Sequence, residues 1–215
     1  MKLLTKDMDI LTNKQLVSLF YKKAKEIKPD IFCEIGAHEA SASKELSDIE
    51  NISIFAYEAN KYIYEIYRND KGLKNVNYKN LAISNTIGKV NFYIMKDYVK
   101  SGANSLLKRN IETYSNLEYE LTEVDSFTLD SLHSKDKEKS YVLWIDVEGC
   151  GLQVLEGSKE ILKNTKLILI EVENIQHWED QKMDKEIISF LESYGFKIVA
   201  RDQEYPNQYN IMFEK

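Results

Sequence analysis

The chain has 215 residues, 43% hydrophobic and 30% charged, which suits one globular domain with a substantial core. Its formal net charge of −6 argues against nonspecific binding to nucleic acid or an anionic membrane, since both favour a basic surface. No apolar run approaches the ~20 residues of a membrane span, and the polar start Met1–Asp7 does not read as a signal peptide. The two cysteines, Cys33 and Cys150, lack metal-type spacing and read as packing residues in a reduced, cytoplasmic setting.

In chain order, Thr12-Asn13-Lys14-Gln15 is a capping-box pattern, and Leu16, Leu19, Phe20, Ala24 and Ile27 recur at helical spacing until Pro29. This predicts a helix over about 13–28. Ile31–Ile35 reads as a short buried strand before Gly36-Ala37, and a helix follows over about 40–46. The next strand is 52–57, ending at Glu58; Lys61–Tyr67 reads as a helix and Val76–Asn80 as a third strand. Such βαβαβ alternation predicts parallel strands in a doubly wound α/β sheet. Val90–Ile94 alternates and suits an edge hairpin. Residues 96–120, with Ser101–Ser105 at their centre, carry no period and read as a lid-like segment. A short strand at 121–124 and a short helix at 128–133 come next. Leu143–Ile145 is a buried strand ending in Asp146-Val147-Glu148-Gly149, and one helix is expected over 150–162. Leu167–Val172 is a further buried strand, ending in Glu171 and Glu173. A helix then runs to Gly195, and two strands over 196–200 and 208–213 form an antiparallel C-terminal hairpin. We see no internal repeat or linker, so one domain over 1–215 is expected.

The strand ends carry the chemistry. Ligands of open α/β sheets bind at the carboxyl edge of the strands. Glu34-Ile35-Gly36-Ala37-His38-Glu39 occupies the first junction, and Glu58 closes the second strand. A glycine lets a ligand approach the backbone, and a distal acid accepts bonds from ribose hydroxyls. The dinucleotide fingerprint G-x-G-x-x-G is absent, because positions 36, 38 and 41 read Gly, His and Ser, and no phosphate loop is present. The acids Glu34 and Glu39 also disfavour a pyrophosphate. A ligand with a ribose and no phosphate fits better, and S-adenosylmethionine is such a ligand. The plain structural alternative is that Gly36 serves only a turn, and that Glu58, Asp146 and Glu148 only cap helices.

Several blocks in order resemble the FkbM family of S-adenosylmethionine-dependent methyltransferases over about residues 30–175. They include Glu34-Ile35-Gly36-Ala37, Tyr57-Glu58-Ala59-Asn60, Asn104-Ser105-Leu106, Trp144–Gly149 and Ile170-Glu171-Val172. The resemblance implies a Rossmann-like sheet of seven strands, mostly parallel, and methyl transfer, usually to oxygen, on sugars, glycolipids or secondary metabolites. It also implies that Glu34, Gly36, Ala37 and His38 meet the methionine end of the cofactor. Glu58 and Ala59 would hold the ribose, Asn80 and Ala82 would lie by the adenine, and Asp146 would lie near the methyl group. The chain departs from the family pattern at His38-Glu39, where a second glycine is common, and at Ala59, where Glu-Pro-Asn is common.

An alcohol acceptor must shed a proton during transfer, and a carboxylate or histidine can take it. Candidates are His177, Asp146 and Glu148, with His177 or Asp146 preferred as base. Acids at one sheet edge also suit Mg²⁺, which takes oxygen ligands, but a metal is not the favoured use of these residues. Tyr98, Tyr114, Tyr119, Trp178 and Tyr205 are available to stack on a sugar. The expected function is therefore an O-methyltransferase on a sugar or nucleotide sugar, in surface-polysaccharide or natural-product synthesis, with a homodimer as one possible assembly. The competing classes are an NAD(P)-dependent oxidoreductase and a non-catalytic nucleoside-binding module on the same fold.

Overall fold

Every second side chain of the central strands faces the same way, and here both faces are covered by helices. In a computed structural model that describes residues 9–96, 103–110, 118–203 and 205–215, the strands run in this order. After β1 (Asp9–Leu11) and α1 (Asn13–Ile27) come β2 (Ile31–Ile35), α2 (Ser41–Leu46), β3 (Ser53–Glu58), α3 (Lys61–Tyr67) and β4 (Val76–Asn80). Next are β5 (Ala82–Ile83), β6 (Gly88–Met95), β7 (Tyr119–Phe127), α4 (Leu129–Leu132) and β8 (Tyr141–Ile145). The chain closes with α5 (Gly151–Glu156), α6 (Ile161–Asn164), β9 (Thr165–Glu173), α7 (Asp184–Ser193), β10 (Lys197–Asp202) and β11 (Gln208–Glu214).

The main sheet has the order β1-β10-β11-β9-β8-β2-β3-β4. Among the described residues, only β11 runs antiparallel to its neighbours, β9 and β10. Seven of these strands are the expected ones, and β1 is an added edge strand parallel to β10. Ile31, Cys33 and Ile35 of β2 join Leu143 and Ile145 of β8 and Ile168 and Ile170 of β9 in one core, under α5, α6 and α7. The intervening Phe32, Val142, Leu167 and Leu169 face a second core, built on Leu16, Phe20 and Ala24 of α1 and Leu46 of α2. The capping box of α1 forms as expected, with the Thr12 amide donating to Gln15 Oε1 at 2.9 Å.

Three expectations are corrected. The β6 hairpin is not an edge of the main sheet; β6 pairs antiparallel with β7 in a separate sheet of order β5-β7-β6. Strand β7 is longer than 121–124 and takes Tyr119 and Glu120 out of the lid-like segment. The single helix over 150–162 is two short ones, α5 and α6. Its break lies at Gly157, which presses on the β5 loop so closely that an added Cβ would stand 2.1 Å from the Ser84 carbonyl oxygen. Asp130 then caps the new start, accepting from the amides of Glu160 and Ile161 at 3.0–3.1 Å. The residues 1–8, Tyr98, Ser101, Gly102, Tyr114 and Glu204 lie outside the described residues.

The contact at Gly157 has a measurable consequence. Gly157→Ala drives a methyl group into the main chain of the β5 loop, so it is expected to cost about 3 kcal/mol or more. Urea unfolding should show a lower midpoint with an unchanged slope.

Candidate functional site

The carboxyl ends of β2, β3, β8 and β9 meet on one side of the sheet. Gly36 leaves β2 with φ +78°, and an added Cβ there would stand 1.6 Å from the Asp146 carbonyl oxygen. Only glycine allows that approach. The amides of Gly36 and Ala37 both donate to the Tyr57 carbonyl, at 3.0 and 2.9 Å, and the Asp146 amide donates to the Ile35 carbonyl at 2.9 Å. These bonds lock the loop after β2 onto the ends of β3 and β8.

A cavity opens beside this loop. Its wall includes Gly36, His38, Glu58, Ala59, Asp146 and Glu148, with Leu81, Ala82, Ile83 and Phe92 as an apolar end. Glu58 is buried, yet each of its oxygens accepts one amide: Oε2 from His38 and Oε1 from Asn60, both at 2.7 Å. A carboxylate oxygen accepts about two bonds, so each retains capacity for a ligand hydroxyl. Burial raises the Glu58 pKa, against the pull of the two amides.

Three of the expected cofactor residues act at one remove. Glu34 and Ala37 do not line the cavity. The α2 helix starts at Ala40 in a left-handed conformation with no side-chain cap of its own. Glu34 replaces that cap, accepting from the amides of Ala42 at 3.2 Å and Ser43 at 2.7 Å. Ala37 packs with Ala40, Ala56 and Leu73 under the loop. Asn80 also lies off the cavity wall; its side-chain amide donates to the carbonyls of Glu58 and Ala59 at 2.8 and 3.1 Å and braces their turn. His38 does line the cavity, at φ +46°, and its carbonyl takes a hydrogen bond from the Tyr78 hydroxyl.

On the other side of the cavity stand Asp146 and Glu148, with Glu171 and Glu173 close to them but off the cavity wall. Asp146, Glu148 and Glu171 offer carboxylate oxygens within 4.8 Å of one another. Glu173 is 1% exposed; its Oε2 accepts from Gln181 at 2.7 Å and its Oε1 has no hydrogen-bond partner. Burial, then mutual repulsion, pushes these carboxyls up: Glu173 to about 7, and Glu148 and Glu171 well above the usual carboxylate range. Asp146 is raised by burial and held back by a hydrogen bond with Glu171.

A strap formed by residues 103–110 crosses this group. Ser105 pairs with Tyr93 of β6, and its hydroxyl donates to the Glu148 carbonyl at 2.7 Å. At the other end Arg109 pairs with Trp178, and the Asn110 amide donates to the His177 carbonyl at 2.9 Å. The Arg109 guanidinium stacks over Trp178, 4.0 Å from the ring centroid, and reaches 3.9 Å from Glu148 Oε2. Trp178 is therefore covered, while Tyr205 is exposed and Tyr119 packs edge-on to Tyr93. His177 is half-buried beside Trp178, and it is not among the residues lining the cavity. Burial and then Arg109 lower its pKa. Sequence reasoning missed Arg109 and the hydroxyl of Ser105, because an aperiodic segment gives no sign of where its side chains dock.

Residues 34–198 match the family described as the Methyltransferase FkbM domain. A 2-O-methyltransferase, NoeI, of Sinorhizobium fredii (strain NBRC 101917 / NGR234) is 25% identical over 200 residues, covering 88% of this chain and 79% of that protein. The fold is similar to a solved structure of precorrin-6y C5,15-methyltransferase from Geobacter metallireducens GS-15, with TM-score 0.51 and 16% identity. That match covers 99% of this chain and 94% of the other.

Glu34 should leave a mark on stability. Burial holds its folded pKa at about 7 against an ordinary 4.5, so the folded state keeps a proton that the unfolded state has lost between these values. Its contribution is present below about pH 4.5 and is lost as pH rises through about 7. A difference of one pH unit between the two pKa values corresponds to about 1.4 kcal/mol. Unfolding free energies should therefore fall from about pH 5 to about pH 8 by roughly 2 kcal/mol more in the wild type than in Glu34→Gln.

Proposed function

This chain belongs to the FkbM methyltransferase family, a family of S-adenosylmethionine-dependent enzymes, and we propose that it methylates a hydroxyl oxygen of a sugar or nucleotide sugar. Methyl transfer is the activity of the family, and the nicotinamide-dependent oxidoreductase reading is thereby set aside. Oxygen as the acceptor atom is supported by the 2-O-methyltransferase relative. The sugar is our extension of that likeness, and a polysaccharide or natural-product pathway extends it further.

The residues fit S-adenosylmethionine. Gly36 presents bare backbone to the cavity, Glu58 keeps acceptor capacity for ribose hydroxyls, and Leu81, Ala82, Ile83 and Phe92 form an apolar seat for a base. His38, Ala59 and the wall around Asp146 complete the cofactor side. When bound, the cofactor supplies a methyl group on a sulfonium, already a good leaving group. The chain's own task is then alignment and proton removal.

A single observation carries the reading: Glu58 and the pair Asp146 and Glu148 line one and the same cavity. Asp146 positions the acceptor hydroxyl, while Glu148 takes its proton, because Glu148 Oε2 is buried without a hydrogen-bond partner. Burial, and then the neighbouring Asp146, raise the Glu148 pKa. His177, off the cavity wall, holds the strap end through its main chain and takes no proton.

Glu58→Gln should weaken S-adenosylhomocysteine binding at least tenfold by calorimetry while circular dichroism stays unchanged; an unaltered affinity removes the ribose role. Glu148→Gln should lower kcat about a hundredfold or more, as loss of a general base does, with cofactor affinity retained. His177→Ala should keep turnover within a few-fold, and a deep loss would return the base to that histidine. A wild-type chain that binds S-adenosylhomocysteine but transfers no methyl to any sugar panel would favour the binding-module reading.

A further inference from the structure

The acceptor side of the cavity has more negative charge than proton transfer needs. Asp146 and Glu148 from the end of β8 face Glu171 from β9, and Glu173 follows two positions later on the same strand face. Against these acids stands the Arg109 guanidinium, 3.9 Å from Glu148 Oε2. Carboxylates this crowded, three of them partly buried and Glu173 fully so, require shared protons or a cation between them.

We propose that Asp146, Glu148 and Glu171 hold a hard divalent cation of the Mg²⁺, Mn²⁺ or Ca²⁺ class, and that the acceptor hydroxyls bind to it. The inference deepens the reading above and rests on it, since it concerns the acceptor half of the same site. Two observations carry it. One is geometric: three carboxylate oxygens lie within 4.8 Å of one another. Ligands on opposite sides of Ca²⁺ stand about 4.6–5.2 Å apart and of Mg²⁺ about 4.0–4.2 Å, so oxygens gathered within this span can share one such ion. The other is an orphaned acceptor. Glu173, two positions beyond Glu171 on the same strand, is 1% exposed, and its Oε1 has no hydrogen-bond partner. A buried carboxylate oxygen left unpaired beside three other acids points to a missing positive partner.

The donor set is oxygen alone, which selects hard cations over zinc or copper. Three protein ligands leave about three positions of an octahedral shell for water or acceptor oxygens, enough for two neighbouring hydroxyls. One oxygen of each carboxylate serves the cation, so the second oxygen of Glu148 still takes the acceptor's proton.

Full-length protein freed of metal by a chelator is titrated with Mn²⁺, followed by electron paramagnetic resonance, and separately with S-adenosylhomocysteine by calorimetry. The expected result is one Mn²⁺ per chain, displaced by Mg²⁺ or Ca²⁺. Glu171→Gln should weaken Mn²⁺ at least tenfold and leave S-adenosylhomocysteine affinity within twofold. Should that variant fold poorly, Glu171→Asp keeps the charge with a shorter reach and should weaken Mn²⁺ at least threefold. Protein that binds S-adenosylhomocysteine but no stoichiometric Mn²⁺ overturns the cation site, as does a Glu171 variant with unchanged Mn²⁺ affinity. Mn²⁺ binding without S-adenosylhomocysteine binding upholds the cation site and overturns the cofactor reading instead.

Discussion

The crossing of the β2–α2 loop over the end of β8 holds the two halves of the site together. Gly36 rests against the Asp146 carbonyl, and the Asp146 amide returns a bond to Ile35. The loop that shapes the cofactor side and the turn that presents the acids are therefore one packed unit. Any shift in one moves the other, because the interior is too dense to absorb the change. The crossing also explains Glu34. A loop pressed this close to β8 enters α2 through a left-handed Ala40, which provides no cap, and a carboxylate sent from β2 must serve instead.

The acids show the opposing demand. Burial favours neutral carboxyls, while acceptor chemistry needs at least one ionised. The fold reconciles these by giving each acid a different partner. Asp146 bonds with Glu171, Glu173 accepts from Gln181, Glu171 accepts from Gln208, and Arg109 stands over Glu148. Asp146, Glu148 and Glu171 sit close together and their charges act on one another, so they titrate as a group.

Much of this was legible in the sequence. Short apolar strands ending in acids or glycine located the sheet edge, and the order of blocks from Glu34 to Val172 identified the family. Glu58, Asp146, Glu148, Gly36 and Ala82 all proved to line one cavity. What stayed hidden depends on contacts between distant segments. Nothing local marks Gly157 as a helix break, since its reason is the Ser84 carbonyl more than seventy positions earlier. Nothing local shows that Glu34 turns to the α2 amides, or that Arg109 lies over Trp178. His177 looked suited to proton transfer by residue type, but the turn held by Gln181 keeps it off the cavity wall.

The strap has a consequence for how such enzymes diversify. Its residues lie between β6 and β7, outside the main sheet; main-chain bonds tie its two ends down, and the Ser105 hydroxyl and Arg109 guanidinium reach the acid turn. The entropy of closing a longer connection grows slowly, about 0.6 kcal/mol per doubling of length. Insertions and replacements there can remodel the acceptor's surroundings while the cofactor cradle stays as it is. One core can thereby be retuned to new hydroxyls by exchanging a segment that lies outside the main sheet.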